Sequence, residues 1–597
     1  MPAPVYQIDD SAQNLDSVLG SAADLTRLRG DLVDLRMILM RALITGVDAA
    51  TAEAAGLHRA YRALAALQST DPDVVAAMLS YPNLGRWISL VLKRIREPDD
   101  ESSTPLWADC AYLGWLAAAA GTVCHSDGTA QVVIRDGAVM LPTLGLARLA
   151  EPGHCGPCEL HWAADGTMRF SWDSKSLEVD SRTSETSPSW LPLRSIGVAE
   201  REPRIWLDDL DPFRPLEPEY PTPPRLDTDQ VQTWQRMFSD SWQLLRDDHA
   251  RYAVPMRECL TSLVPLSTDP LSGTANYTTQ DCFGSVQTTA RADRCQLAVT
   301  LIHEVQHSKL TLITDATELF SPDPTARFHA PWRDEPRPIL ALLHGIYAFF
   351  GVGDFWRVHR ESDCVRCVHA HAEFELWRLQ VASAIATVED SGLLTDAGRR
   401  FVGALSAETH RWAGNQVSAA ARAVATESVM AQRTFWQVRN LVPDPRDIAD
   451  LVVRWDAGLP PTAELRPSIL VDQQRIPARS RRLYLVSKEE PFRPTEPADN
   501  AQPQGDRAYR AGYLTEAVAL YSRELRTDPL RPQPWAGLRL AAPKIFGDRD
   551  FRILDSRAEV VAHLYAAVGT EVEIMALLAW LAGPSDTSSQ PWESRRI

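Results

Sequence analysis

Apolar residues recur at helical spacing through residues 12–100, most clearly in DLVDLRMILMRALITGV and LHRAYRALAALQ. This pattern predicts a helical N-terminal region, and a further helix follows over LWADCAYLGWLAAAAGTV from Leu106. The period then changes to two, in QVVIRDGAVMLPTLG and ELHWAADGTMRFSWD, as strands require. Asp127-Gly128 and Asp165-Gly166 are turn signals that fit hairpins. Proline interrupts the pattern in DPFRPLEPEYPTPPRL at 211–226, which reads as a linker or an extended connection. Helical periodicity dominates 227–460, and KEEPFRPTEPADNAQPQG at 488–505 reads as a second linker by composition. The expected fold is mainly α with a small β-rich insertion. Its parts would be a helical region 1–104, a helix plus β-rich domain 105–210, a helical domain 227–465 and a helical tail 506–583.

The tail has a spacing of its own. Gly512, Ala517, Tyr521 and Pro529 stand at tetratricopeptide intervals, and Trp535 and Leu538 fall where a next repeat would begin. Small residues would let paired helices approach, with the aromatic filling the gap between them. Arrays of this kind usually need three repeats, so a helical hairpin packed on the main body is an equal alternative to a repeat module that binds a partner protein.

Composition narrows the classes. A chain of 597 residues with 45% hydrophobic content is globular and expected to hold several domains. Acidic residues outnumber basic ones by 78 to 61, for a net charge of −17 with no basic stripe, which argues against a nucleic-acid platform. The start MPAPVYQIDDSAQ has no signal-peptide pattern, and the longest apolar stretch, around Tyr112–Val123, is too short to span a bilayer. A cytoplasmic protein without a membrane partner is expected. Nine cysteines are too sparse for a disulfide scaffold and suggest reduced thiols.

The candidate chemistry lies in CQLAVTLIHEVQHSKLTLI. His303 and His307 are four residues apart, slightly more than one helical turn, so both imidazoles leave one face and can share an ion. Ala298, Leu301, Ile302 and Val305 lie mostly on another face that would bury. Glu304 stands where zinc peptidases place the general base on metal-bound water. A third ligand is required, since two imidazoles leave a site too open. Glu318 is the nearest carboxylate; His344, alone in the apolar helix PRPILALLHGIYAFFGV, is the other candidate, although a lone imidazole there is commonly a satisfied core residue. Between the two lies HAPWRDEPRP, with Arg333 and Arg337 beside Asp334 and Glu335. Paired guanidinium groups near a metal suit a carboxylate ligand; the alternative is an internal salt-bridge cluster capping the next helix.

RDGAVMLPTLG (135–145), LDDLDPFRP (207–215), LIHEVQHSKL (301–310) and APWRDEPRPILALLHGIYAFFGVGDFW (330–356) together resemble the actinobacterial HExxH-motif peptide-modification proteins encoded beside ribosomal peptide precursors. The resemblance covers roughly 105–465, with the two ends of the chain matching more loosely. It implies a zincin-like motif helix in the catalytic domain and an Fe(II)- and 2-oxoglutarate-dependent hydroxylase acting on side chains of a precursor peptide. Carried onto this chain, His303, His307 and His344 would bind Fe(II), and Arg333 or Arg337 would anchor the distal carboxylate of 2-oxoglutarate. Glu304 would then support the ligands rather than act as base. Three histidines depart from the usual two-His, one-carboxylate iron site, which Glu318 or Glu335 in place of His344 would restore. The competing expectation is a zinc metallopeptidase with Glu304 as base.

Two CxxC pairs remain. Cys155/Cys158 resembles a redox dithiol but has no thioredoxin-type surroundings, and Cys364/Cys367 precedes His369 and His371. A joint four-cysteine zinc site, a local Cys–His site and simple packing cysteines are the readings, with packing the plainest.

Overall fold

A computed structural model describes residues 22–97, 104–197, 202–216, 223–267, 276–291, 293–362, 367–462, 465–470 and 504–583. Helices dominate, with small sheets confined mainly to the first half, and the chain divides into two compact units, Met1–Glu318 and Leu319–Ile597. The division falls inside the 227–465 segment.

The first unit begins with helices α1 (Ala22–Gly46), α2 (Ala49–Ala54), α3 (Leu57–Thr70), α4 (Pro72–Leu79) and α5 (Pro82–Arg96). The run from Leu106 is two helices, α6 (Leu106–Cys110) and α7 (Tyr112–Val123), broken at Ala111. Every residue of α7 from Tyr112 to Thr122 is buried, so it is the central helix of the unit and its apolar run serves packing.

Seven strands follow: β1 (Gly128–Ile134), β2 (Ala138–Leu141), β3 (Gly145–Arg148), β4 (Gly156–Trp162), β5 (Thr167–Trp172), β6 (Lys175–Asp180) and β7 (Trp190–Pro192). They form an antiparallel sheet in the order β1-β4-β5-β6 and a smaller one in the order β2-β3-β7. Asp165-Gly166 does turn β4 into β5, with Gly166 at φ +89°. Asp127-Gly128 makes no hairpin. Gly128 opens β1 beneath the Trp162 ring, where an added Cβ would come within 2.3 Å, so this glycine serves close approach. The turn the pattern hid is Asp136-Gly137, at φ +50° and +80°, closed by paired backbone bonds between Arg135 and Ala138.

Residues 211–216 are not a linker. Asp211 and Phe213 are buried, and LDDLDPFRP is a hydrogen-bonded hub of the core. The Tyr81 hydroxyl and the Asn83 amide each donate to Asp208 Oδ2 at 2.7 Å, and the Tyr112 hydroxyl donates to Asp211 Oδ2 at 2.7 Å. Farther along, Arg225 donates to Asp209 Oδ1 at 2.8 Å. Aspartates placed every one or two residues can turn the backbone through their own amide bonds, as Asp208 does with Leu210 and Asp211.

A mixed sheet completes the unit: β8 (Arg194–Ile196), β9 (Ile205–Leu207), β10 (Ser262–Pro265), β11 (Asn276–Tyr277) and β12 (Ser285–Thr288), in the order β11-β12-β10-β9-β8. Its three inner strands are parallel and both edge strands antiparallel. Helices α8 (Thr228–Asp248), α9 (Ala250–Cys259) and α10 (Arg294–Ala316) accompany it, and α10 packs on α1, α8 and α9 and touches β11 and β12. The motif helix therefore packs on other helices and also touches a mixed sheet, whose strands β10, β11 and β12 fall within the segment read as dominated by helical periodicity. Strands β10 and β12 are buried at every position, so neither shows the alternation by which strands are recognised.

The second unit is helical: α11 (Ile339–His359), α12 (Cys367–Glu389), α13 (Asp396–Trp412), α14 (Ala419–Asn440), α15 (Pro445–Asp456), α16 (Gln504–Arg510), α17 (Leu514–Thr527) and α18 (Pro532–Ala541), with further short helices to Ala582. Helix α11 holds a longer apolar run than Tyr112–Val123; it is the one described helix long and apolar enough to cross a membrane, and 78% of that window is buried inside the protein. The tail shares a core with the rest of the unit, because Val438 of α14 and Leu451 of α15 cluster with Tyr521, Trp535 and Tyr565. Tyr521 fills the gap between helices, where a Cβ on Gly505 or Gly537 would come within 2.5 Å of its ring. Gly512 serves the turn between α16 and α17 instead, at φ +80°. The expected linker at 488–505 lies, up to residue 503, outside the described residues.

Candidate metal centre

Helix α10 starts at Asp293, whose carboxylate accepts from the backbone of Cys295 at 2.7 Å and Gln296 at 3.1 Å. Ala298, Leu301, Ile302 and Val305 bury one face as expected. Burial also takes in Glu304, Gln306 and Lys309, while His303 and His307 stay partly exposed. The two imidazoles converge, with Nε2 to Nε2 at 3.1 Å and ring centroids 4.7 Å apart, edge to face. An ion about 2.0–2.1 Å from each of two nitrogens, at angles from square to tetrahedral, holds them about 2.9–3.4 Å apart. The pair fits one ion.

Glu304 is 1% exposed and turns away from solvent. Its Oε1 accepts from Asn276 Nδ2 of edge strand β11, and Asn276 Oδ1 in turn accepts from Arg291 Nη2 at 2.9 Å. Burial lowers the Arg291 pKa, opposed by the charge of Glu304. Neither Asn276 nor Arg291 was marked by the sequence, since neither stands at a spacing related to the motif. One turn on, the buried Lys309 ammonium donates to Gln306 Oε1 at 2.9 Å, and burial pulls its pKa down to about 8.

Glu318 lies just past the C-terminus of α10, beyond the extended cap residue Thr317. Among the described residues, no group of three or more His, Cys, Asp or Glu side chains that could hold a metal ion occurs within either unit.

The other expected site residues belong to the second unit. His344 is largely enclosed in α11, and burial alone pushes its pKa down to about 4, so the imidazole is neutral at pH 7. Neutral imidazole is the form that binds a metal, and equally the form a core accepts. Its neighbour Gly345 sits under Trp332, where a Cβ would lie 2.3 Å from the ring. Phe349 continues the stack against Trp377, with centroids 4.1 Å apart and planes 8° off parallel.

Trp332 is the anchor of the Arg333–Arg337 loop. Phe328 and Arg337 exchange both backbone bonds, at 2.8 and 2.9 Å. Three side-chain amides hold loop carbonyls: Gln380 on Pro331 at 3.3 Å, Gln432 on Arg333 at 3.3 Å and Asn440 on Asp334 at 2.8 Å. A loop fixed by its carbonyls does not depend on its own side chains for its shape. Arg333 and Glu335 are exposed, whereas the half-buried Arg337 has its pKa lowered by burial and by Arg333, against Glu335. Beside them His329 is enclosed against Trp436 and paired with Gln432 at 3.0 Å, and burial pushes its pKa down to about 4.

Of the two CxxC pairs, only Cys155/Cys158 lies among the described side chains. Cys158 is buried in β4 with its thiol pushed up to about 11, which suits packing and not exchange. The seven described cysteines whose side chains are placed form no disulfide, and Cys364 lies outside the described residues. His369 faces Glu373 at 3.4 Å, while burial and Arg360 lower the pKa of His371.

A scan against protein-family models gives no match for this chain, and a search of curated proteins gives none either.

Proposed function

We propose that the chain is a metalloenzyme acting on a peptide, with the ion held first by His303 and His307. The observation that carries the metal is the 3.1 Å convergence of the two Nε2 atoms on a helix whose neighbouring positions are buried. The choice of chemistry rests on the resemblance of HEVQHSKL and APWRDEPRP, and it favours Fe(II)/2-oxoglutarate-dependent hydroxylation of a precursor peptide. Bound Fe(II) with 2-oxoglutarate and O2 would insert one oxygen atom into a C–H bond, the cosubstrate leaving as succinate and CO2.

This chain's own residues would do the rest. His303 and His307 fix the ion, and Asn276 keeps the Glu304 carboxylate in one orientation beside them. Arg337 or Arg333, on a loop held by its carbonyls, would grip the distal carboxylate of 2-oxoglutarate through paired hydrogen bonds. His344, neutral at pH 7, is the proposed third ligand.

A second reading is zinc peptidase chemistry, favoured by the buried and hydrogen-bonded Glu304 at the base position of the motif. Anaerobic purification with metal analysis, then turnover of a candidate precursor peptide with and without 2-oxoglutarate, separates the two. A mass gain of one oxygen with succinate formation supports the hydroxylase. Peptide cleavage that needs no 2-oxoglutarate sinks it in favour of the hydrolase. Loss of metal in His344→Ala is the expected result for the third ligand, and retention at wild-type level removes that role.

A further inference from the structure

The side chain that orients Glu304 comes from another element and is itself oriented by a third. Asn276 stands on β11, the antiparallel edge strand, paired with Thr288 of β12. Its amide has two unlike ends. With Oδ1 accepting from Arg291 Nη2 at 2.9 Å, the NH2 end must face the other way, and there it donates to Glu304 Oε1. A flipped amide would set its oxygen against the carboxylate and its NH2 against a guanidinium, so Arg291 selects the one orientation that works. Arg291 lies between β12 and α10, with its own backbone N–H on Met237 Sδ at 3.1 Å, so the guanidinium starts from a fixed point.

We propose that Arg291 is a positioning residue for the metal centre, acting through Asn276 to hold the Glu304 carboxylate in a single orientation beside His303 and His307. The proposal rests on the metal reading of that histidine pair. In it, edge strand β11 carries the link between a cation outside the motif helix and the carboxylate within it. Either chemistry needs this. A base on metal-bound water must point at the water, and a carboxylate supporting the ligand shell must point at its partner.

The test uses Co(II), whose visible bands report the ligand field, titrated into the full chain. Arg291→Gln and Asn276→Ala are each expected to weaken Co(II) binding about tenfold and to alter the band shape, as loss of a ligand-orienting partner does. Arg291→Lys, which keeps one donor for Asn276 Oδ1, is expected to recover part of the affinity. In a Glu304→Ala background the Arg291→Gln change should fall within about twofold, because the relay then has nothing to orient. An undiminished loss in that background would show that Arg291 acts only on the fold, and no loss in either single variant would remove the relay. Urea unfolding checks each variant, and the exposed Asn276 carries the test if Arg291→Gln does not fold. Failure of the metal reading looks different: wild-type protein would then bind Co(II) no better than a His303→Ala/His307→Ala double variant.

Discussion

Helices α10 and α11 are alike in length and burial, yet they present imidazole in opposite ways. In α10 two histidines one turn apart meet at 3.1 Å, so one element by itself brings two potential ligands together. In α11 His344 stands apart from the helix's other histidine, His359, and the positions one turn away from it are Leu340, Ala341, Tyr347 and Ala348, with no imidazole, thiolate or carboxylate among them. Burial then holds His344 neutral, its pKa near 4. A local pair announces a candidate metal site through spacing alone. A lone imidazole acquires a role only from what the fold brings to it, and enclosure alone is also how a core keeps a histidine.

The largest effect that can break this comparison is on the pair. His303→Ala and His307→Ala should each lower Co(II) affinity at least about a hundredfold, read by titration and by metal content after gel filtration. Equal binding in both variants and wild type would reduce the α10 pair to a surface contact.

Next comes the packing around His344. Gly345→Ala places a Cβ 2.3 Å from the Trp332 ring, which must shift, and the cost should be about 2–3 kcal/mol by urea unfolding. Gly403, in α13, has open space where its Cβ would stand, so the same substitution there should stabilise by about 0.5–1 kcal/mol. Matching signs for the two variants would mean that Trp332 does not lock the loop onto α11.

Two buried titrating groups sharpen the contrast between units. His329 has a folded pKa of about 4, below the ordinary 6.5, so its contribution is present above pH 6.5 and is lost as pH falls toward 4. The loss should be about 2 kcal/mol between pH 7 and 4.5, and His329→Gln should flatten it in urea midpoints followed against pH. Asp211 behaves in the opposite sense. Burial and the facing Asp208 raise its pKa well above the usual carboxylate range, so its contribution is present at low pH and lost as pH rises through the folded value. Asp211→Asn keeps an acceptor for the Phe213 amide, now at 2.8 Å, and should stabilise by about 1 kcal/mol at pH 8 and by less at pH 5, where the folded carboxyl is still protonated.

Much of the fold can be read from periodicity where one face of an element is wet. The N-terminal helices and the β4–β5 hairpin follow from such patterns. Elements wet on no face escape that reading. Strands β10 and β12 carry no alternation, and LDDLDPFRP, rich in proline and charge, is buried because Tyr81, Asn83 and Tyr112 satisfy its carboxylates. The Asp127-Gly128 dipeptide misleads for a related reason, since its glycine answers to Trp162 and not to a turn.

What the sequence determined by itself is the histidine pair: four residues on a helix of 3.6 per turn put two imidazoles on one side, whatever the surroundings. Only the tertiary structure decided how Glu304 is held. Asn276 and Arg291 reach it from a strand and a connecting segment, joined by hydrogen bonds whose partners are 28 and 15 positions apart in the chain. Local spacing follows from covalent geometry, whereas contacts at such separations depend on how the sheet and helix pack.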